Sequence, residues 1–258
     1  MKIYLGDIIP TSTLDWPGKV VMTVFTRGCP FRCPYCSNFK FIEIEEDRLP
    51  DDTDRVLHEI DRAKDYIDAV VFSGGEPFMQ YEAMREIAGY GKQKGLLIGV
   101  ETNGAYPEKM KSMIDEDLLD AVLLDVKAPL RQKEYSYAMG FDSEEALFQA
   151  VKATIDICRT AKADGRLAYF EVRSTVFEGI CDKPEDAINI IRSIGPCDAY
   201  VLQQGRPELA EDSYFRKRET VHRNHLIEMG SAALPYAKES GVGVIKVRTH
   251  AMGDEIVK

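Results

Sequence analysis

Apolar runs and helical patterns alternate along nearly the whole of this 258-residue chain. Residues 19–25 (KVVMTVF) form a β-branched run that leads directly into a cysteine-bearing loop. Val56, Leu57, Ile60, Ala63 and Ile67 recur at helical spacing, predicting a helix over 52–67 with Asp51 or Asp52 as its N-cap. Residues 68–77 (DAVVFSGGEP) read as a buried strand ending in a Gly-Gly turn. The same reading predicts a helix over 80–93, a strand over 96–104, a helix over 107–115 and a strand over 120–129. It continues with helix 143–163, strand 168–177, helix 183–194 and strand 198–205. A last helix over 219–239, which Pro235 is expected to kink or end, precedes a strand over 242–248. The least regular segments, 39–50 and 128–142, are read as loop insertions. Six or seven strands alternating with helices predict an α/β protein with a parallel sheet.

The polar residues of these segments gather at one place. RGCPFRC, SGGEP, ETNG, DVK, EVRST and LQQG all stand at the carboxyl ends of predicted strands. In parallel α/β sheets and barrels, that edge is where sites are assembled. The two-residue repeat also puts Glu171 and Arg173 on one face of their strand, where they pair with each other or bind a ligand.

Composition narrows the function classes. With 45% hydrophobic and 29% charged residues the chain is of ordinary globular make-up. A formal charge of −10 argues against broad contact with nucleic-acid backbone. No apolar run has the length of a signal peptide core or a membrane span, so a cytoplasmic location is expected. In that compartment the six cysteines are expected as thiols or metal ligands, with the scattered Cys158, Cys181 and Cys197 serving as small buried apolar residues. His222 and His225 have a metal-like spacing, but beside Arg218 and Arg223 they read as a solvated helix face. Trp16 is expected to pack the N-terminal segment near the cysteine loop.

The chemistry centres on TRGCPFRCPYCSNFK, which places Cys29, Cys33 and Cys36 within eight residues at a C-x3-C-x2-C spacing. Thiolates at this spacing bind zinc, Cu(I) or an iron–sulfur cluster. A closed zinc site needs a fourth ligand, and none lies nearby in sequence. A cubane cluster held by three cysteines keeps one iron open for a small molecule.

This loop resembles that of the radical S-adenosylmethionine (SAM) superfamily, C-x3-C-x-aromatic-C, with Tyr35 in the aromatic place. The resemblance implies a partial open (β/α)6 barrel formed by a single domain over residues 1–258. Its core would span about 18–205, and 206–258 would add a C-terminal helix and strand. It further implies that Cys29, Cys33 and Cys36 hold a [4Fe–4S] cluster whose fourth iron is chelated by SAM. Reductive cleavage of SAM would then give a 5′-deoxyadenosyl radical that abstracts hydrogen. SGGEP (Ser73, Gly74, Gly75, Glu76, Pro77), following the second strand, resembles the family's GGEP element, with Glu76 accepting from SAM's ammonium. ETNG and DVK resemble elements at the ends of the next two strands. They place Thr102, Asn103, Asp125 and Lys127 with Tyr35, Ser37, Arg173 and Gln203 among the SAM contacts. Glu101, Thr102 and Asp125 are candidate ligands of a monovalent cation.

STLDWPGK, FSGGEPFMQ, LLDVKAP, FEVRSTVF and LQQGRP narrow the resemblance to the activating proteins of anaerobic ribonucleotide reductase and pyruvate formate-lyase, from about Asp7 to Pro207. The implied partner is a glycyl-radical enzyme, with flavodoxin or ferredoxin as reductant. Those activases commonly read YCHNP where this chain reads YCSNFK. Two other readings stay open: a radical SAM enzyme acting on a small molecule, of the 7-carboxy-7-deazaguanine synthase type, and an iron–sulfur electron carrier.

Overall fold

The computed structural model describes residues 1–258, and each apolar run of the sequence becomes a strand of one sheet. In chain order the first elements are β1 (Lys2–Ile3), β2 (Leu5–Ser12), β3 (Val21–Thr26), β4 (Asp51–Asp52), α1 (Asp54–Ala63) and β5 (Ala69–Gly74). Next come α2 (Tyr81–Gln93), β6 (Leu97–Thr102), α3 (Pro107–Asp115), β7 (Ala121–Asp125), α4 (Gln132–Met139) and α5 (Glu145–Ala163). The remainder is β8 (Tyr169–Val176), α6 (Pro184–Ile194), β9 (Cys197–Gln204), α7 (Ser213–Arg216), α8 (Arg223–Ser240), β10 (Val242–Thr249) and β11 (Gly253–Ile256).

The main sheet has the order β11-β10-β9-β8-β7-β6-β5-β3-β2. Its seven inner strands, β3 and β5 to β10, are parallel, and β2 and β11 close its ends antiparallel. β2 and β11 do not pair with each other, so the sheet stays open as a partial β/α barrel. Alternation along the strands separates two faces. Val70, Phe72, Ile98, Val100, Val122, Leu124, Phe170 and Val172 lie in the main core, against the helices. The intervening positions face the concave side, among them Ser73, Glu101, Asp125, Glu171, Arg173, Gln203 and Arg248. Register aligns several of them laterally: Asp125 stands opposite Arg173, and Gln203 opposite Arg248.

Trp16 is buried on this concave side against Val21, Ala69, Val71 and Ala121, and its ring stacks 6.5 Å from Tyr169. Val21, Ala69, Ala121 and Tyr169 each open a strand, so the indole plugs the end of the barrel opposite the cysteine loop. The expectation that it packs near that loop is corrected. Gly99 makes room for it, since a Cβ there would lie 3.0 Å from the indole.

The pattern also missed several elements. β2 contains Gly6 and Pro10, and proline is tolerated there because the strand is an edge. Segment 128–142 holds a helix, α4, and 39–50 begins with a 3-10 turn at Phe39–Phe41. Asp51 and Asp52 do not cap α1. They pair with Lys2 and Ile3, and Thr53 takes the N-cap position. α8 runs through Pro235 to Ser240 and begins only at Arg223. Cys158, Cys181 and Cys197 are buried thiols.

Candidate active site

The cysteine loop leaves β3 at Thr26 and is pinned through its backbone. Gly28 N–H donates to Phe41 O at 2.9 Å, and Cys29 N–H to Ile42 O at 3.0 Å. From the other side Arg32 N–H donates to Met139 O at 2.8 Å, where α4 ends. Gly140 allows that approach: it has φ +89°, and a Cβ would lie 1.9 Å from Arg32 O. A third support is Asp212 N–H, which donates to Pro34 O at 3.2 Å from the start of α7. Phe215 of α7 and Phe177 pack on the buried Tyr35 ring, with centroids 6.4 and 5.6 Å away.

Above the concave face lies a cavity of about 730 Å³. Cys29, Cys33, Tyr35, Cys36 and Ser37 line it from the loop. Ser73, Gly74, Gly75, Glu101, Thr102, Asn103, Asp125, Lys127, Arg173 and Gln203 line it from the strand ends. Glu76 does not. It is fully buried, and its carboxylate accepts from Phe78 N–H at 3.2 Å and Asn103 N–H at 2.8 Å, with the Thr102 hydroxyl 2.9 Å away. Burial pushes its pKa up to about 7. Its carboxylate ties the end of β5 to the end of β6 instead of meeting a ligand's ammonium. The glycines before it serve a close approach of backbone to backbone. A Cβ on Gly74 would lie 2.3 Å from Thr26 O, and one on Gly75 2.3 Å from Gly28 O.

The charged side chains form a continuous network. Arg173 Nε donates to Glu171 at 2.6 Å, Nη1 pairs with Glu101, and Nη2 donates to Asp15 O at 3.3 Å. Ser73 Oγ donates to Glu101 at 2.7 Å. Arg248 bonds Asp254 and Gln203 and lies 3.5 Å from Glu171. Burial raises the pKa of Glu101 despite the neighbouring guanidinium. Burial alone would lower that of Arg173, but Glu101 and Glu171 hold it above its ordinary value. The cation site expected of Glu101, Thr102 and Asp125 is therefore not assembled. Glu101 is paired with Arg173, Thr102 bonds Glu76, and Asp125 is 3.2 Å from Lys127 Nζ. Arg173 supplies the positive charge among these carboxylates, and each of its three nitrogens has a protein partner.

Three thiols in one cavity make a soft donor set that fits an iron–sulfur group. Burial pushes Cys29 and Cys33 up to about 12 and also raises Cys36, so metal must offset the desolvation of their thiolates. The Lys127 ammonium acts in the same direction on all three. Tyr35 lines the same cavity, and its buried hydroxyl has no hydrogen-bond partner within the protein.

One wall was missed in the sequence. Arg248, Thr249 and His250 at the end of β10, with Gly253 and Asp254 of β11, face Thr13–Asp15, Pro17 and Arg206 around the cavity. The signal existed, because VRTH is the polar carboxyl end of a seventh parallel strand, like the six already recognised. His222 and His225 do not share a helix face as expected: His222 precedes α8, and His225 bonds Asp182 O at 2.6 Å.

Comparison with known proteins gives this geometry a lineage. A model of the radical SAM superfamily matches residues 23–191. A Methanocaldococcus jannaschii protein, provisionally named a glycyl-radical enzyme activating enzyme, is 34% identical over 236 residues, 92% of this chain and 94% of its own. The pyruvate formate-lyase-activating enzyme of Staphylococcus aureus is 31% identical over 136 residues, 49% of this chain and 54% of its own. Among solved structures, Streptococcus suis SuiB bound to SAM shares the fold with a TM-score of 0.60 at 15% identity. That match covers 86% of this chain but 48% of SuiB, so the chain spans about half of SuiB's length. SuiB bound to its precursor peptide SuiA matches with a TM-score of 0.61 at 13% identity, over 89% of this chain and 48% of SuiB. Three cysteines on the loop after the first parallel strand, a cavity at the strands' carboxyl ends and these likenesses lead to one assignment: the chain is an enzyme of the radical SAM superfamily.

Proposed function

We propose that this chain is a glycyl-radical activase: it uses SAM to remove a hydrogen atom from a glycine Cα of a partner enzyme. The observation that carries this reading is the near end-to-end likeness to the M. jannaschii relative, which bears the name of such an enzyme. The partner we favour is anaerobic ribonucleoside-triphosphate reductase, from the residue resemblance running from Asp7 to Pro207. Flavodoxin or ferredoxin would be the reductant, in the cytoplasm, and residues 1–258 would act as one radical SAM domain.

A [4Fe–4S] cluster together with SAM would supply, when bound, the electron and the radical chemistry. The chain's own residues do the rest. Cys29, Cys33 and Cys36 hold the irons, and Lys127 places a positive charge beside their thiolates. Tyr35, Ser37, Ser73, Gly74, Gly75, Thr102, Asn103 and Gln203 form the wall assigned to SAM. The Glu101–Arg173–Glu171 network stiffens the floor beneath it. Leu14, Pro17, Arg206 and His250 also line the cavity and would be available to the partner's glycine loop.

The test is anaerobic. The protein is reconstituted with iron and sulfide, reduced with dithionite and mixed with SAM, with and without the candidate reductase. Partner-dependent 5′-deoxyadenosine together with a glycyl EPR doublet is the expected result. Product that ignores the partner would move the search to small molecules. No product from an intact, reducible cluster would leave an electron carrier.

A further inference from the structure

We propose that the Asn103 carboxamide donates a hydrogen bond to the ligating sulfur of Cys29 and so raises the reduction potential of the iron–sulfur centre. Asn103 is thus a positioning residue acting through Cys29. The inference rests on the reading of Cys29 as an iron ligand, and it gives this side chain a task besides the SAM contact expected of it.

Asn103 is the first residue beyond β6 and is 6% exposed. Its Oδ1 accepts from Ala105 N–H at 3.0 Å, and its Nδ2 lies 3.4 Å from Cys29 Sγ. Chemistry fixes the orientation of the amide. Turned over, it would set its NH2 against the Ala105 N–H, donor to donor, and its oxygen against sulfur. The surrounding turn is held on three sides. Asn103 N–H donates to Glu76 at 2.8 Å, Gly104 N–H to Thr102 Oγ1 at 3.1 Å, and Thr154 Oγ1 to Gly104 O at 2.8 Å. The buried Glu76 carboxylate therefore has a purpose, since it anchors the residue that reaches the sulfur.

The three sulfurs are also unequal. The Asn103 amide reaches Cys29 and neither of the others, whereas the Lys127 ammonium acts on all three. One-electron reduction by an external low-potential donor adds one negative charge to the centre, shared with its sulfurs. A donor aimed at a sulfur stabilises the reduced form more than the oxidised one, and hydrogen bonds to sulfur are among the factors that set such potentials.

The test measures a potential and needs neither SAM nor a partner. Native protein, Asn103→Ser and Asn103→Leu are reconstituted, assayed for iron and titrated with dithionite, the reduced cluster being followed by EPR. Serine keeps a side-chain oxygen for the Ala105 turn but is too short to reach Cys29. Leucine keeps the bulk and loses both bonds. The expected result is four irons in each protein and a midpoint lower by about 59 mV in both variants, a tenfold change in the one-electron equilibrium. A native midpoint in a four-iron Asn103→Ser protein would overturn the inference, even if the leucine variant failed to fold. Failure of the native protein itself to hold four irons would instead overturn the ligand reading beneath it.

Discussion

The cysteine-bearing wall of the cavity is built from backbone, whereas the wall opposite is built from side chains. On the first, Gly75 N–H donates to Thr26 O at 2.9 Å and Glu76 N–H to Gly28 O at 2.7 Å, and glycines bring the two chains together. On the second, β8, β10 and β11 meet through Arg173, Glu171, Arg248 and Asp254. A backbone-built wall restricts residue type at adjacent positions, because a Cβ at 2.3 Å is impossible. It leaves a contiguous motif. An ion network needs only complementary charges: the neighbours Glu171 and Arg173 were legible within one strand, but their links to Glu101 and Arg248 lie far apart in sequence and leave no contiguous motif. The two walls should therefore fail differently when damaged.

The largest effect is expected on the first wall. Cys33→Ala should abolish 5′-deoxyadenosine formation and lower iron content, while the fold survives because the loop is held by backbone bonds that the substitution leaves in place. Iron assay, product quantification and circular dichroism on one sample check it. A variant with full iron and full activity would break the assignment. On the second wall the expected damage is to stability. Arg173→Ala leaves Glu101 and the fully buried Glu171 short of their partner. Removing one member of a buried ion pair costs about 3–5 kcal/mol. A urea titration should show that loss, and an unchanged midpoint would mean that the network is not what holds this wall.

The contrast also explains what was legible in the sequence. The strands from Val21 to Thr249 follow their β-branched runs because the face against the helices is apolar along the inner strands. The cysteine loop and Gly-Gly turn were visible because backbone proximity fixes their residues. β2 was hidden by Gly6 and Pro10, which an edge strand tolerates, and α4 by the short stretch QKEYSYAM, which lacks a clear apolar stripe. Glu76 was misplaced for another reason. A carboxylate in a ligand-binding motif looks like a ligand contact, and only tertiary structure reveals that Phe78, Thr102 and Asn103 already occupy it. Arg248 was missed although it ends a parallel strand as the other site residues do.

Glu76 sharpens the comparison through pH. Its folded pKa is raised to about 7 from an ordinary 4.5, burial being the main cause. The folded state therefore holds the proton more tightly than the unfolded state. The stability this adds is full below the unfolded pKa of 4.5 and is lost as pH rises through 7. At about 1.4 kcal/mol per pH unit, the loss over that window is on the order of 3 kcal/mol. Subtracting the urea stability of Glu76→Gln from that of the native protein, pH by pH, should isolate this decline. A difference curve that is flat between pH 4.5 and 7 would show that Glu76 keeps an ordinary pKa.

The smallest expected effect lies at the support behind Tyr35. The Asp212 carboxylate caps α7 by accepting from Tyr214 N–H at 2.7 Å, while its own N–H donates to Pro34 O. Asp212→Ala removes the cap and keeps the backbone bond. Loss of such a cap costs about 1 kcal/mol. Because α7 has only four residues and carries Phe215 onto Tyr35, part of that cost should appear in the cysteine loop. Iron reconstituted into the variant should therefore leave several-fold faster under a chelator than native iron, with little change in the urea midpoint. Equal rates of iron loss would mean that the contacts at Gly28, Cys29 and Arg32 already hold the loop alone. The C-terminal segment would then serve the opposite wall, through Arg248 and Asp254, and not the metal-binding one.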